Sequence, residues 1–193
     1  MKRLAICLAL VLFSATIVQA QVKNCVNTIH GQFEIQQNGQ KLKPALNTNK
    51  KMMVYCLGDR LNFDTDAIEL QLTCNHDKTL RVYLIYYDVN EKAAYKRGME
   101  TGMETGKQYS IPITHENHYT KEYICLFYST EALDVKRIMN VMNETEGTLI
   151  QKIDLALGDK MVPTKDIRFV MNEIEFSART DKTVVPIIIE IVH

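Results

Sequence analysis

Apolar and polar residues alternate along 67–74, with Ile68, Leu70, Leu72 and Cys74 on one side and Glu69, Gln71 and Thr73 on the other. That period of two predicts a half-buried strand. Residues 80–88 behave differently, because Val82, Leu84 and Tyr86 share one face while Tyr83, Ile85 and Tyr87 share the opposite one. A strand apolar on both sides needs cover on both, so it belongs in the middle of a sheet. The run 123–128 has the same double-sided character and is read as its neighbour, with Val82, Leu84, Tyr86, Ile124, Leu126 and Tyr128 in the core. Shorter strands are predicted at 32–36, ended by Asn38-Gly39, at 52–57 and at 108–113.

Helical spacing begins only after Ser129, which is read as the cap of a helix carrying Ala132, Leu133 and Ile138. A second helix is expected from Leu149, Ile150, Ile153 and Leu157, ended by Gly158. Strand character returns at 167–178 and 184–192 around Thr180-Asp181-Lys182, giving a C-terminal hairpin, and Pro186 argues for an edge or a bulge there. Strands, two helices and a hairpin together predict a mainly β fold, a β-sandwich with a short two-helix insertion.

The start of the chain obeys another logic. Lys2 and Arg3 precede an apolar run from 4 to 18, and Val18-Gln19-Ala20 has the small residues that signal peptidase cuts behind. Residues 1–20 are read as a cleaved secretory signal; the run is shorter than the roughly 20 apolar residues of a spanning helix. Neither Cys7 nor Cys25 has the setting of a lipid-modified cysteine. Residues 21–51, rich in Asn, Gln, Lys and Gly, are read as an N-terminal arm, and 52–193 as the sandwich domain. The expected address is secreted or periplasmic.

Charge excludes some partners. Losing Lys2 and Arg3 from 23 basic residues leaves 21 against 23 acidic ones, a balance that indicates neither nucleic acid nor peripheral membrane association. Cys25, Cys56, Cys74 and Cys125 remain after cleavage; two disulfides in any of three connectivities, or buried thiols, are both compatible with an exported chain.

Catalytic motifs are missing from the sequence. Ser110, Ser129 and Ser177 lie outside any Gly-x-Ser-x-Gly elbow, and there is no phosphate loop, dinucleotide fingerprint or zinc cysteine pair. His115-Glu116-Asn117-His118 could offer two imidazoles to a metal only on a helix, which Pro112 and the polar surroundings disfavour. Cys125 with His115 or His118 could be imagined as nucleophile and base, but Ile124 and Leu126 flank the thiol. No cofactor and no metal is expected. Asn143-Glu144-Thr145 matches the N-glycosylation pattern.

Two polar loops between apolar strands are the expected contact surface. The first, 89–107, holds the tandem Gly98-Met99-Glu100-Thr101 and Gly102-Met103-Glu104-Thr105 and contributes Tyr95, Arg97, Met99 and Met103. The second, 114–121, contributes His115, His118 and Tyr119. A non-catalytic binding or scaffold domain for a protein or cell-envelope partner is the expected function. The alternatives are a carbohydrate-binding module using exposed tyrosines and a small cysteine hydrolase.

The runs Gly58-Asp59-Arg60-Leu61-Asn62-Phe63, Val82-Tyr83-Leu84-Ile85-Tyr86-Tyr87-Asp88 and Tyr109-Ser110-Ile111-Pro112, then 123–130 followed by Leu133, resemble the bacterial domain-of-unknown-function family numbered four-three-eight-four. The resemblance covers about residues 52–158. It implies a secreted, β-rich accessory domain, often joined to caspase-like peptidase or kinase domains and without catalytic residues of its own. The sequence departs from that pattern at Ala94-Tyr95-Lys96-Arg97-Gly98, where the family has a Phe-Pro turn, so no functional residue carries over.

Overall fold

The computed structural model describes residues 27–43, 45–47, 52–56, 68–74, 80–89, 92–95, 100–113, 121–170 and 175–192. In chain order the first strands are β1 (Asn27–Gln37), β2 (Gln40–Lys41), β3 (Ala45–Asn47), β4 (Met52–Cys56) and β5 (Ile68–Cys74). Then come β6 (Leu80–Asp88), β7 (Ala93–Tyr95), β8 (Glu100–Met103), β9 (Gln108–Ile113) and β10 (Lys121–Ser129). Helices α1 (Val135–Glu144) and α2 (Leu149–Leu157) precede β11 (Ile167–Val170), β12 (Glu175–Thr180) and β13 (Val184–Val192). The fold is mainly β, two sheets face to face with a two-helix insertion.

The first sheet runs β11-β12-β1-β5-β9, with β2 folded back on β1. The second runs β3-β4-β13-β10-β6, and β7 and β8 follow one another along the remaining edge of β6. All described pairings between strands are antiparallel except β4 with β13, and Met161 adds an isolated parallel bridge to Val184. Alternation decides which side chains turn inward. Ile29, Phe33 and Ile35 of β1 and Ile68, Leu70, Leu72 and Cys74 of β5 meet Val82, Leu84 and Tyr86 of β6 and Ile124, Leu126 and Tyr128 of β10 in one core. The two strands read as central neighbours pair along their length, Leu84 with Leu126.

Their second apolar face is covered by the helices. Tyr83, Ile85 and Tyr87, with Tyr123, Cys125 and Phe127, pack against Ile138, Met142, Leu149, Ile153 and Leu157. Asp134 caps α1 by accepting a hydrogen bond from Arg137 N, whereas Ser129 ends β10 and bonds Glu131 instead. Thr148 and Gln151 form a reciprocal capping box on α2, and Gly158 ends that helix as expected. Lys152 is buried, and its Nζ donates to Met142 O at 2.9 Å, placing a cation on one of the unsatisfied carbonyls at the C-terminal end of α1. The ammonium also lies 5.4 Å from the centre of the Tyr87 ring.

Several expectations need correcting. Residues 21–51 are not simply an arm, because β1 lies between β12 and β5 in the first sheet. The segment 89–107 is not one loop, since β7 and β8 within it both pair with β6. The C-terminal hairpin is β11 with β12; the turn after Thr180 carries the chain across to the other sheet, where β13 pairs with β10 and β4. Pro186 sits opposite Phe127 in a part of β13 that the β4 pairing, which begins at Ile189, does not reach. Its missing N–H therefore costs no described ladder bond on that side.

Candidate binding surface

The second sheet is covered by the first sheet on one face and by the helices on the other. The first sheet is covered on its inner face, and its outer face is mostly polar, with Gln32, Glu34 and Gln36 on β1, Glu69, Gln71 and Thr73 on β5 and Gln108 and Ser110 on β9, although Pro112 on β9 and the exposed Val170 on β11 also face outward. On this half the polar groups bond each other. Ser110 Oγ and Gln71 Nε2 each donate to Glu69 Oε2 at 2.9 Å, Gln108 Nε2 donates to Gln71 Oε1 at 3.2 Å, and Lys41 pairs with Glu34.

The other end of the face is built differently. Arg168 of β11 stands opposite Ser177 of β12, which stands opposite His30 of β1, and in the next outward-facing row Arg179 stands opposite Thr28. Directly opposed residues have Cβ atoms about 4.5 to 5.5 Å apart, so side chains of these three strands share one patch. Pro163 leads into a short 3-10 turn, Thr164–Asp166, that sets Lys165 and Asp166 beside it. Thr28, Lys165, Asp166, Arg168, Ser177 and Arg179 line a hollow of about 470 Å³. Among the described residues, Lys165, Arg168 and Arg179 make no ion pair and no side-chain hydrogen bond, although Asp166 lies in the same lining. No protein-family model, curated protein or solved structure matches this chain.

The residues singled out from sequence are scattered. Tyr95, on β7 at the edge of the second sheet, is 40% exposed. Met103 is not a contact residue: it pairs with Leu80 and is buried in the sandwich core, because its β8 segment continues the edge of β6. Arg97, Met99, His115, His118, Tyr119 and Cys25 lie outside the described residues, as does the side chain of Cys56. Asn143 of the glycosylation pattern accepts from Ala94 N at 2.6 Å and donates to Ala94 O, tying α1 to β7. Among the described residues no group of three or more His, Cys, Asp or Glu could hold a metal, and no helix is long and apolar enough to cross a membrane.

Cys74 and Cys125 are both buried as thiols. They cannot meet, since Cys74 points into the sandwich and Cys125 into the helix layer. Burial between Ile85 and Ile188 pushes the Cys125 thiol up to about 12, so it stays protonated and unreactive at neutral pH. We therefore expect the air-exposed folded protein to differ from its reduced mass by two protons at most, a single Cys25–Cys56 bridge. Cys125 should resist iodoacetamide until the protein is denatured. A loss of four protons, or rapid native alkylation of Cys125, would contradict this arrangement.

The hollow was not found from sequence. Its signal is weak but present: the outward positions Thr28 and His30, Ser177 and Arg179, and Arg168 are polar, while the inward positions between or beside them, Ile29, Ala178 and Ile167, are apolar.

Proposed function

We propose that this chain is an exported, non-catalytic binding domain that engages a protein or cell-envelope partner through the open outer face of its first sheet. The observation that carries the reading is the group of cations at one end of that face, which have no ion-pair partner among the described residues. On the other half of the face Glu34, Gln36, Lys41, Glu69, Gln71, Gln108 and Ser110 bond one another, so the cationic end is the part chemically poised to meet something else.

The alternatives draw less support. A cysteine hydrolase would need Cys125 as a thiolate, and that thiol is enclosed between strands and helices with its ionisation suppressed. A sugar-binding module needs a platform of exposed aromatic rings; among the described tyrosines Tyr83, Tyr86, Tyr87, Tyr123 and Tyr128 are buried and Tyr109 is half-buried, which leaves Tyr95 as a single exposed ring. The resemblance noted above implies the same kind of accessory role. The segment 100–106 is a poor contact surface, because β8 within it pairs with β6 and Met103 is part of the core.

Crosslinking with pull-down from the native envelope tests the reading. The Arg168→Glu/Arg179→Glu variant should recover the partner about tenfold less well than wild type, because charge reversal turns attraction into repulsion. Lys136→Glu, on the exposed side of α1, should recover it normally. Equal recovery with all three proteins would refute the surface. Reproducible turnover abolished by Cys125→Ala would refute the binding-domain reading as a whole.

A further inference from the structure

Resting on the binding-domain reading, we infer that the hollow lined by Lys165, Arg168 and Arg179 is a site for a dianionic tetrahedral oxyanion, a phosphate or sulfate group. Three cations against the single carboxylate of Asp166 leave a formal surplus of two positive charges around one hollow. Two of the cations are guanidinium groups, whose planar forks pair two N–H donors with two oxygens of one anion. They project from neighbouring strands: Arg168 is opposite Ser177, and Arg179 is two residues further along the same strand. That diagonal spacing is about 7 to 8 Å, within reach of long side chains converging on one group.

The remaining lining supplies neutral donors. Thr28, opposite Arg179, and Ser177, opposite Arg168, each bring a hydroxyl that can donate to a third oxygen of a tetrahedral anion. Lys165 adds a mobile point charge from the turn before β11. A planar monoanionic carboxylate would use one fork and leave the other cations unmatched. The volume of about 470 Å³ exceeds what a bare ion occupies, which leaves room for the group that carries it. Asp166 precedes Ile167, whose cross-strand partner Ala178 precedes Arg179, so it stands near that cation, yet it makes no ion pair with it and the surplus of positive charge remains.

The test is isothermal titration of the purified protein, at constant ionic strength, with inorganic phosphate, inorganic sulfate, glycerol 3-phosphate and acetate. Phosphate, sulfate or the ester should bind at least about tenfold more tightly than acetate. Arg168→Ala and Arg179→Ala should each weaken that binding about tenfold, and Arg168→Lys should fall between Arg168→Ala and wild type. Lys136→Ala should not change it. All four substitutions are at exposed positions and should leave the thermal midpoint unchanged, so a loss of binding is not a loss of folding. Tighter binding of the ester than of the inorganic ions supports an anion carried on a larger partner, and equal binding supports the free ion.

Acetate binding as tightly as phosphate, absence of any anion binding, or indifference to both arginine substitutions would overturn the inference. If the anions fail to bind while the pull-down still depends on Arg168 and Arg179, the partner surface stands and its oxyanion specificity falls. If both fail, the binding-domain reading falls with it.

Discussion

Leu126→Ala should lower the unfolding free energy by about 2 to 5 kcal/mol, the range for emptying a fully buried leucine site. Leu126 is 0% exposed on β10, between Leu84 of β6 and Ile187 of β13, and points into the core shared by the two sheets. Strands on both sides and the facing sheet hold the site open, so neighbours cannot collapse into the space. Much of the loss is therefore the cavity itself. Leu84→Ala, one strand away, should behave similarly. Urea unfolding measures both, and a loss under about 0.5 kcal/mol would place β6 and β10 somewhere other than the middle of their sheet.

Gly31→Ala should also destabilise the protein, by about 1 to 3 kcal/mol, against the usual sign for this exchange in a strand. Gly31 pairs with Phe176 on one side and Cys74 on the other, on the inward face of β1. A methyl group built there would lie 2.5 Å from Cε1 and Cζ of Phe176 and 3.2 Å from Cε1 of Tyr128. Those rings pack together with centroids 4.6 Å apart, and both are buried, so neither can swing aside at little cost. Shrinking the obstructing ring should restore part of the loss: Gly31→Ala with Phe176→Leu should be less destabilised than the two single effects added. Gly31→Ala that is neutral or stabilising would show that the rings do not cover this strand.

The same glycine explains why β1 is hard to see in the sequence. Its inward positions read Ile29, Gly31, Phe33 and Ile35, and the space over Gly31 is filled by rings from distant strands. With that position blank, only the patch at 32–36 kept a visible rhythm. By contrast β5 shows its inward side plainly, because Ile68, Leu70, Leu72 and Cys74 all supply their own bulk. The double-sided strands β6 and β10 were also legible, since cover on both faces keeps 82–87 and 123–128 apolar or aromatic throughout. Glycine spacing hid β8, where Met103 alone marks the inward side.

The binding surface was less accessible for a topological reason. Thr28, Arg168 and Arg179 are unremarkable in sequence, and only the order β11-β12-β1 sets them side by side. Local pattern could mark each as an outward residue of a strand but could not say which strands were neighbours. The turn after Thr180 misled for a related reason. Lys182 N bonds Thr180 Oγ1, giving a tight local bend like that of a hairpin, yet the strands on either side join different sheets.

Whether the outer face of the first sheet meets the partner can be read residue by residue from lysine acetylation of the protein bound in its native envelope and of the purified protein. Lys165 in the hollow and Lys136 on α1 are both exposed in the isolated chain and should be modified equally there. In the bound state Lys165 should be protected with Lys136 still modified; protection of Lys136 while Lys165 stays open would contradict a contact through this face.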